Sequence, residues 1–473
     1  MENKKAFSDI FRVTVSNILK LASGVLVGFL LPKIIGVTDY GYYKTFTLYV
    51  TYIGLFHLGI NDGIYLYFGG KEYEELNKPK FRTYFFILVS IEIAISFLII
   101  LISIFVLDGE LKFIFISLSI FLIFNNITAY YQYISQATRR FTELSFRNVI
   151  QSIFIAIGVL ACAFFYYKLG FHITYRHFTV IYIIIFGFLM IWYIYTYREI
   201  SFGEKVVLKE GFNDIKEFIK LGLPLMISNL CSSLILNLDR QFVSTLYNTD
   251  TYAIYAFAYN MLALITTATS AIAVVLYPNL KRMDESTLRK NMDRLIQAVM
   301  IIVYCGLVVY FPLCKFVLWF LPQYAESLFI FRIIFPGLAI SSSITIVIHN
   351  YYKTIGQNLL FFKQSLIVLL ISGIFNYIAY RLFDTTAAIS WASIIVMVFW
   401  FFVSESYFIK RFSIPWKRTS IYMIIMMLSF YVITYFDNLV VAFIVYIIAF
   451  VVITYVLLNK TIKSFLKKIP KNL

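Results

Sequence analysis

Five basic side chains, Lys20, Lys44, Arg240, Lys315 and Arg332, lie inside long apolar runs of this 473-residue chain. A charge at the centre of a membrane helix costs roughly 2.5–3.5 kcal/mol even on insertion scales, so such groups usually face a protein interior or a wet cavity. The chemistry available to cations there is charge-assisted hydrogen bonding to an anion such as a phosphate. Helical spacing gives each cation its company. Asn17, Lys20, Gly24 and Gly28 share one face; Lys44, Thr47, Thr51, Gly54, Leu58 and Asp62 share another; Asn229, Ser233, Asn237 and Arg240 form a third row. Position along each run sets the competing reading. Lys44 and Arg240 lie near span ends and can snorkel to headgroups, as Lys315 can beside a turn, and Arg332 stands evenly between the two readings. Lys20 is mid-run, where snorkelling is hardest. Asp239 adjoins Arg240, but helix neighbours point about 100° apart and need not pair.

A second set is titratable: His57, Asp62, Glu92, Asp239, His349 and Glu405. Intramembrane carboxylates and histidines are candidates for proton or cation coupling, with a structural hydrogen bond or ion pair as the plain alternative. Asp62, between Asn61 and Gly63, can simply cap a turn, and His349 shares a face with Ser342 and Thr345. The cysteines Cys162, Cys231, Cys305 and Cys314 all fall in apolar runs without metal-site spacing. No Gly-x-x-x-x-Gly-Lys-Ser/Thr, Gly-x-Ser-x-Gly or His-Glu-x-x-His occurs, so the chain is expected to carry no cofactor or metal and to be no enzyme.

The elements that must position these groups follow from composition. Hydrophobic residues make up 61% and charged residues 14%, against roughly 45–50% and 25% in a soluble domain, so the solvent is largely lipid. At ~20 apolar residues per span, about fourteen spans are expected, near 10–31, 42–68, 83–107, 112–137, 146–167, 178–197, 222–246, 252–278, 295–320, 327–352, 359–382, 386–409, 419–436 and 439–459. Tight joints at Asp384 and at Asp437-Asn438 leave twelve or thirteen open. With the N-terminus cytoplasmic, 31 of the 41 basic residues fall on inner segments and five (Lys33, Lys112, Lys168, Arg176, Arg381) on outer ones. The positive-inside rule thus puts both termini inside, and the net charge of +16 reflects topology rather than nucleic-acid binding. Met1–Phe7 is polar and looks nothing like a signal peptide.

Domain boundaries are expected at 1–198, 199–220, 221–410 and 411–473: a six-helix lobe, a cytoplasmic amphipathic linker, a second six-helix lobe, then two further helices with a basic tail. In the linker Phe212, Ile215, Phe218 and Ile219 share a face beside Lys216 and Lys220, which predicts a helix lying on the inner leaflet. A 212-residue offset aligns Ser16-Asn17 with Ser228-Asn229, and Tyr40 and Tyr43 with Tyr252 and Tyr255. Crossing an even number of spans, it reads as a parallel repeat. Gly24/Gly28 and Gly59/Gly63 fit close helix approach, and Pro32, Pro224, Pro312 and Pro336 fit kinks or ends.

The stretch Leu30-Leu31-Pro32-Lys33-Ile34-Ile35-Gly36-Val37-Thr38-Asp39-Tyr40-Gly41-Tyr42-Tyr43 resembles the first outer turn of polysaccharide repeat-unit (Wzx-type) flippases. Leu58-Gly59-Ile60-Asn61-Asp62-Gly63, Leu238-Asp239-Arg240 and Tyr252-Ala253-Ile254-Tyr255 are similar to that family too. It belongs to the multidrug/oligosaccharidyl-lipid/polysaccharide (MOP) exporter superfamily. The resemblance implies an all-α fold of two six-helix lobes plus two C-terminal helices, in a bacterial cytoplasmic membrane. It implies flipping of an undecaprenyl-diphosphate-linked oligosaccharide, with membrane lipids, a polysaccharide polymerase and chain-length machinery as partners. Lys20, Lys44, Arg240 and Arg332 are the candidate diphosphate contacts; Asn17, Asn229, Asn237, Tyr255, Tyr259 and Asn260 the candidate glycan contacts. The ion-coupling candidates are Asp62, Glu92, Asp239, His57 and His349. A peptidoglycan lipid-precursor flippase shares this chemistry. A multidrug extruder would want acidic rather than cationic stripes, and a membrane polymerase would want a large outer loop, which is missing.

Overall fold

The computed structural model describes residues 19–466, so Asn17 lies outside the described residues, as do the N-terminal and last tail lysines. Helices dominate and no strand occurs among the described residues. Among the described residues nine helices are long and apolar enough to cross a membrane, and a pair bent by 45°, Ser327–Ile334 with Gly337–Thr354, makes a tenth. The chain divides into two compact units, Met1–Leu230 with Asn248–Ala253, and Cys231–Tyr247 with Ile254–Leu473.

The first unit contains α1 (19–35), α2 (Val37–Ile53), α3 (Ile60–Phe68), α4 (Lys78–Val106), α5 (Gly109–Ala137), α6 (Phe141–Leu169), α7 (Tyr175–Thr196) and most of α8 (Leu208–Ile235). The helix α5 packs against α2, α3, α4, α6 and α7, and is the most enclosed of them. Lipid supplies no hydrophobic drive between helices, so packing and inter-helix hydrogen bonds of about 0.6 kcal/mol each must hold them. Ser96 donates to the Ser119 carbonyl at 2.8 Å, Tyr130 to the Phe81 carbonyl at 3.0 Å, and the Ser135 and Tyr197 hydroxyls pair at 2.7 Å.

The outer-turn motif has structural work. Gly36, at φ 80° and ψ 178°, adopts a backbone closed to other residues and separates α1 from α2. The Asp39 carboxylate then accepts from the Tyr175 backbone N–H at 3.1 Å, where α7 begins. Thr38 donates to Asp250 at 2.6 Å; the two positions are 212 apart, the offset of the sequence repeat. Nearby, burial pushes the Glu110 carboxyl up, but the Tyr175 hydroxyl and the Arg176 guanidinium outweigh it and hold the group below its usual range.

Span two does not run as one helix. It tightens over Gly54–His57, and Leu58 (φ 55°) and Gly59 (φ 79°) turn left-handed before α3 starts. The expected face from Lys44 to Asp62 is therefore cut, because the turn rotates Asp62 into the unit. Below the turn the Gly59/Gly63 spacing has a partner: a Cβ on Gly222 of α8 would lie 2.1 Å from the Gly59 carbonyl oxygen, and one on Gly63 2.1 Å from that of Phe218. Backbone crosses backbone here. Gly24 has open space around it among the described residues.

The linker reading is corrected in one respect. Its apolar face is covered by the unit's own core, where Ile215 and Phe218 are buried against Ile60, Ile64 and Tyr84 with Ile219 alongside, and only Phe212 stays exposed. Salt bridges explain why protein wins over lipid. Lys80 binds Glu210 and Asp214, each at 3.0 Å, Lys78 binds Glu199, and Arg82 donates to the Glu199 and Glu204 carbonyls. The segment is tied down on α4 and continues without a break into span seven.

The second unit contains α9 (Leu238–Leu246), the rest of α10 (Thr249–Lys281), α11 (Glu285–Phe320), α12 (Ser327–Ile334), α13 (Gly337–Thr354), α14 (Asn358–Phe383), α15 (Thr386–Phe412), α16 (Trp416–Ile433) and α17 (Leu439–Leu466). The pair α14/α15 forms a tight hairpin, capped where the Thr385 side chain accepts from the Ala388 N–H at 3.2 Å. The last two helices are fastened to α11: Tyr304 donates to the Met423 carbonyl at 3.1 Å and Tyr446 to the Tyr304 carbonyl at 2.6 Å.

Candidate functional site

Span seven breaks at Leu236-Asn237, and the break builds the site. Asn237 leaves helical geometry (φ −126°, ψ −4°) while its amide donates back to the Ser233 carbonyl at 2.7 Å. The helix α9 restarts beyond it and buries Asp239 in its first turn, where unpaired N–H groups favour a carboxylate. Asp239 is 1% exposed and fully engaged. It accepts from the Arg240 backbone N–H at 2.7 Å, from the Tyr255 hydroxyl at 2.8 Å and from the Tyr259 hydroxyl. Ser390 of α15 in turn donates to the Tyr255 oxygen at 3.2 Å.

Arg240 points elsewhere. Its guanidinium lies over the Tyr259 ring, 4.6 Å from the centroid, and among the described residues it makes no ion pair with Asp239. With Ser233, Asn237, Tyr259, Thr266 and Ser341 it lines a cavity of ≈260 Å³ inside the second unit, whose apolar wall includes Leu236, Leu262, Ile334 and Met397. A guanidinium presented to a small polar-and-apolar cavity can bind an anionic oxygen through several fixed donors. Three of the four residues of the expected span-seven row meet here; the fourth, Asn229, is exposed and outside the lining.

A second polar cluster lies in the first unit around the span-two turn. Glu92 of α4 is 0% exposed, and the Asn126 amide donates to both its oxygens at 3.0 Å while also reaching the Ile53 carbonyl at 3.2 Å. Asn61 donates to the Asn126 carbonyl at 3.4 Å. Asp62, 2% exposed, lies 3.7 Å from His57 Nε2 and accepts from Tyr133 at 3.4 Å, while His57 Nδ1 accepts from the Gly59 N–H at 3.1 Å. Thus His57, Asp62 and Glu92 sit in one cluster. His349 belongs to neither: its ring stacks on Phe361 at 4.4 Å.

The remaining expected contacts separate. Lys20 is exposed on α1. Lys44 is half-buried with its ammonium 5.1 Å from the Tyr40 ring. Arg332 lies over the rings of Phe329 and Tyr435, at 4.9 and 4.2 Å, and does not line the cavity. Tyr255 is wholly buried and occupied by Asp239, so in this state it orients the carboxylate and presents nothing to a sugar; Asn260 is half-buried. Reading the sequence missed Asn126, Tyr133, Ser390 and the pair Asn376–Ser393, in which Ser393 donates to the Asn376 amide oxygen at 3.3 Å. The signal was present for two of them: Asn126 and Tyr133, seven apart, share a face of an apolar run.

Among the described residues no group of three or more His, Cys, Asp or Glu side chains is arranged to hold a metal ion. A family model described as "Polysaccharide biosynthesis protein" matches residues 7–284. No curated protein matches the chain. Similar solved structures include the lipid II flippase MurJ in an inward closed conformation, with 15% identity over 96% of this chain and 100% of that one and a TM-score of 0.73. An inward-facing MATE family multidrug resistance transporter of the MOP superfamily has 13% identity over 86% and 98%, with a TM-score of 0.62. A Vibrio cholerae MATE transporter has 13% identity over 85% and 96%, with a TM-score of 0.57. At such identities the likeness is one of fold, whereas the family match spans more than half of the chain. This membrane-embedded helical chain, folded like the transporters of the MOP superfamily, belongs to the polysaccharide biosynthesis protein family.

Proposed function

We propose that the protein flips an undecaprenyl-diphosphate-linked oligosaccharide from the cytoplasmic to the outer leaflet of a bacterial cytoplasmic membrane, supplying surface polysaccharide synthesis. The basic ends of its helices, and both termini, face the cytoplasm. The observation that carries the reading is Arg240 in a cavity walled by Asn237, Ser233 and Tyr259 within apolar helices. A diphosphate needs such a cation to leave water, and hydroxyl and amide groups suit glycan hydroxyls. Lys20 and Lys44 supply further positive charge along the route. The Asp239 site and the His57/Asp62/Glu92 cluster are the coupling sites, each exchanging a proton or monovalent cation as access alternates. A polysaccharide polymerase and its chain-length machinery take up the product.

The decisive experiment deletes the gene and asks on which leaflet the lipid-linked repeat units accumulate. Trapping on the cytoplasmic face, reversed by the wild-type gene, is the expected result. Normal delivery to the outer face, with no redundant transporter present, overturns the reading. Rescue of cells depleted of their lipid II flippase would instead assign the peptidoglycan precursor as substrate.

A further inference from the structure

Glu405 of α15 is a buried carboxyl that neither polar cluster uses. It is 0% exposed, and both of its oxygens are buried without a hydrogen-bond donor. The group acting on it electrostatically is another carboxylate, Asp293 of α11. Asp293 is well supplied: Thr419 donates to one oxygen at 2.6 Å and Gln297 to the other at 2.8 Å, with Thr461 donating to Gln297 behind them. An ionised glutamate with no donor and a like charge nearby would be strongly disfavoured in this setting.

Among the described residues no cation forms an ion pair with it. Of the charged side chains on the surrounding helices, Arg294 (α11), Lys363 (α14), Lys417 and Arg418 (α16), and Lys410 and Arg411 of α15 itself are exposed, and Arg411 is taken by Glu285 at 2.9 Å. On α13, Lys353 is half-buried and His349 stacks on Phe361; neither forms an ion pair among the described residues. Asp239 and Arg240 of α9 belong to the far end of α15. Ser390, which bonds Tyr255 there, precedes Glu405 by fifteen residues, or about 22 Å of helix. The facing helix α13 is wound as a π turn over Ser343–Ile348 where it packs on both α11 and α15, a distortion frequent at functional sites.

We propose that Glu405, opposed by Asp293, is a proton-carrying site of the transport cycle, separate from the Asp239 site. It takes up one proton when its carboxylate is buried without a donor, as in this arrangement. It returns that proton to water when the basic end of the second unit hydrates, and the charge left behind is repelled by Asp293. Glu405 is seven residues from the end of α15 and Asp293 eight from the start of α11, about 10–12 Å inside that end. The transport half of this proposal rests on the flippase reading; the protonation half does not.

Two measurements on the full-length protein test it. Infrared spectroscopy of protein in lipid nanodiscs at neutral pH should show a protonated-carboxylic-acid band that Glu405→Gln removes; an unchanged band overturns the site. In proteoliposomes carrying a lipid-linked diphosphate oligosaccharide, Glu405→Gln should lose most of the acceleration given by an imposed pH gradient, where one proton per cycle makes each pH unit worth about tenfold. A wild-type gradient response in that variant overturns the carrying role. If the wild type itself flips no such lipid, the function reading fails while the infrared result still decides the site. If Glu405→Gln does not fold, Asp293→Asn serves: removing the opposing charge should let the band titrate away at lower pH, and an unshifted titration overturns the pairing.

Discussion

Arg240 and Asp239 are adjacent in sequence and do opposite things. The carboxylate is held inward by two tyrosine hydroxyls and a backbone N–H, while the guanidinium is left over the Tyr259 face towards a cavity. Truncating each should therefore give a different defect. Arg240→Ala should weaken transport of diphosphate-linked substrate about 10- to 100-fold, the loss of a charged hydrogen bond worth about 1.5–3 kcal/mol, measured as flipping rate in proteoliposomes. Arg240→Lys should recover only part of it, since an ammonium lacks the planar fork. Asp239→Asn should instead leave the protein folded, because the amide oxygen can still accept from Tyr255, yet remove the response of transport to an imposed ion gradient. Lys20→Ala should abolish export at normal protein levels; export at the wild-type rate would mean that Lys20 only snorkels.

Between helices, the decisive contacts are made by residues with least side chain. Gly222, Gly59 and Gly63 bring α8 against span two at backbone distance, next to the turn that orients His57 and Asp62. A methyl group on Gly222 has to displace backbone, so Gly222→Ala should cost about 1–3 kcal/mol and lower the melting temperature in detergent. Gly24→Ala, with open space around it, should melt like the wild type. Gly24 and Gly59 each stand four residues before another glycine and look alike as spacing. What distinguishes them is whether another backbone arrives at the same height, and that partner lies some 160 residues away. The linker shows the same limit: its amphipathic pattern was plain, but lipid and protein are equally good cover for an apolar face, and only the salt bridges from Lys78 and Lys80 decide for protein.

Over the whole chain, the alternation of basic segments makes a topology that single cysteines can check. With Cys305 replaced by Ser, Ser413→Cys should react with impermeant thiol reagents only from the cytoplasmic side, and Asp384→Cys only from outside. The reverse pattern would invert the direction of transport assigned here. The all-helical membrane class and the handful of charges left among apolar residues were legible in the sequence, because each depends on how a segment partitions between water and lipid, a property of that segment alone. The cut in span two at Leu58 and Gly59, the meeting of Asn126 with Glu92 and the two tyrosines on Asp239 were not. They depend on the rotation and breaks of separate helices, and the same polar side chain satisfies its hydrogen bonds equally well against any neighbour that presents a donor. Four cations in apolar runs, Lys20, Lys44, Arg240 and Arg332, were candidate contacts for an anion; only the tertiary structure gave Arg240 a cavity and left Arg332 stacked on Tyr435 outside it.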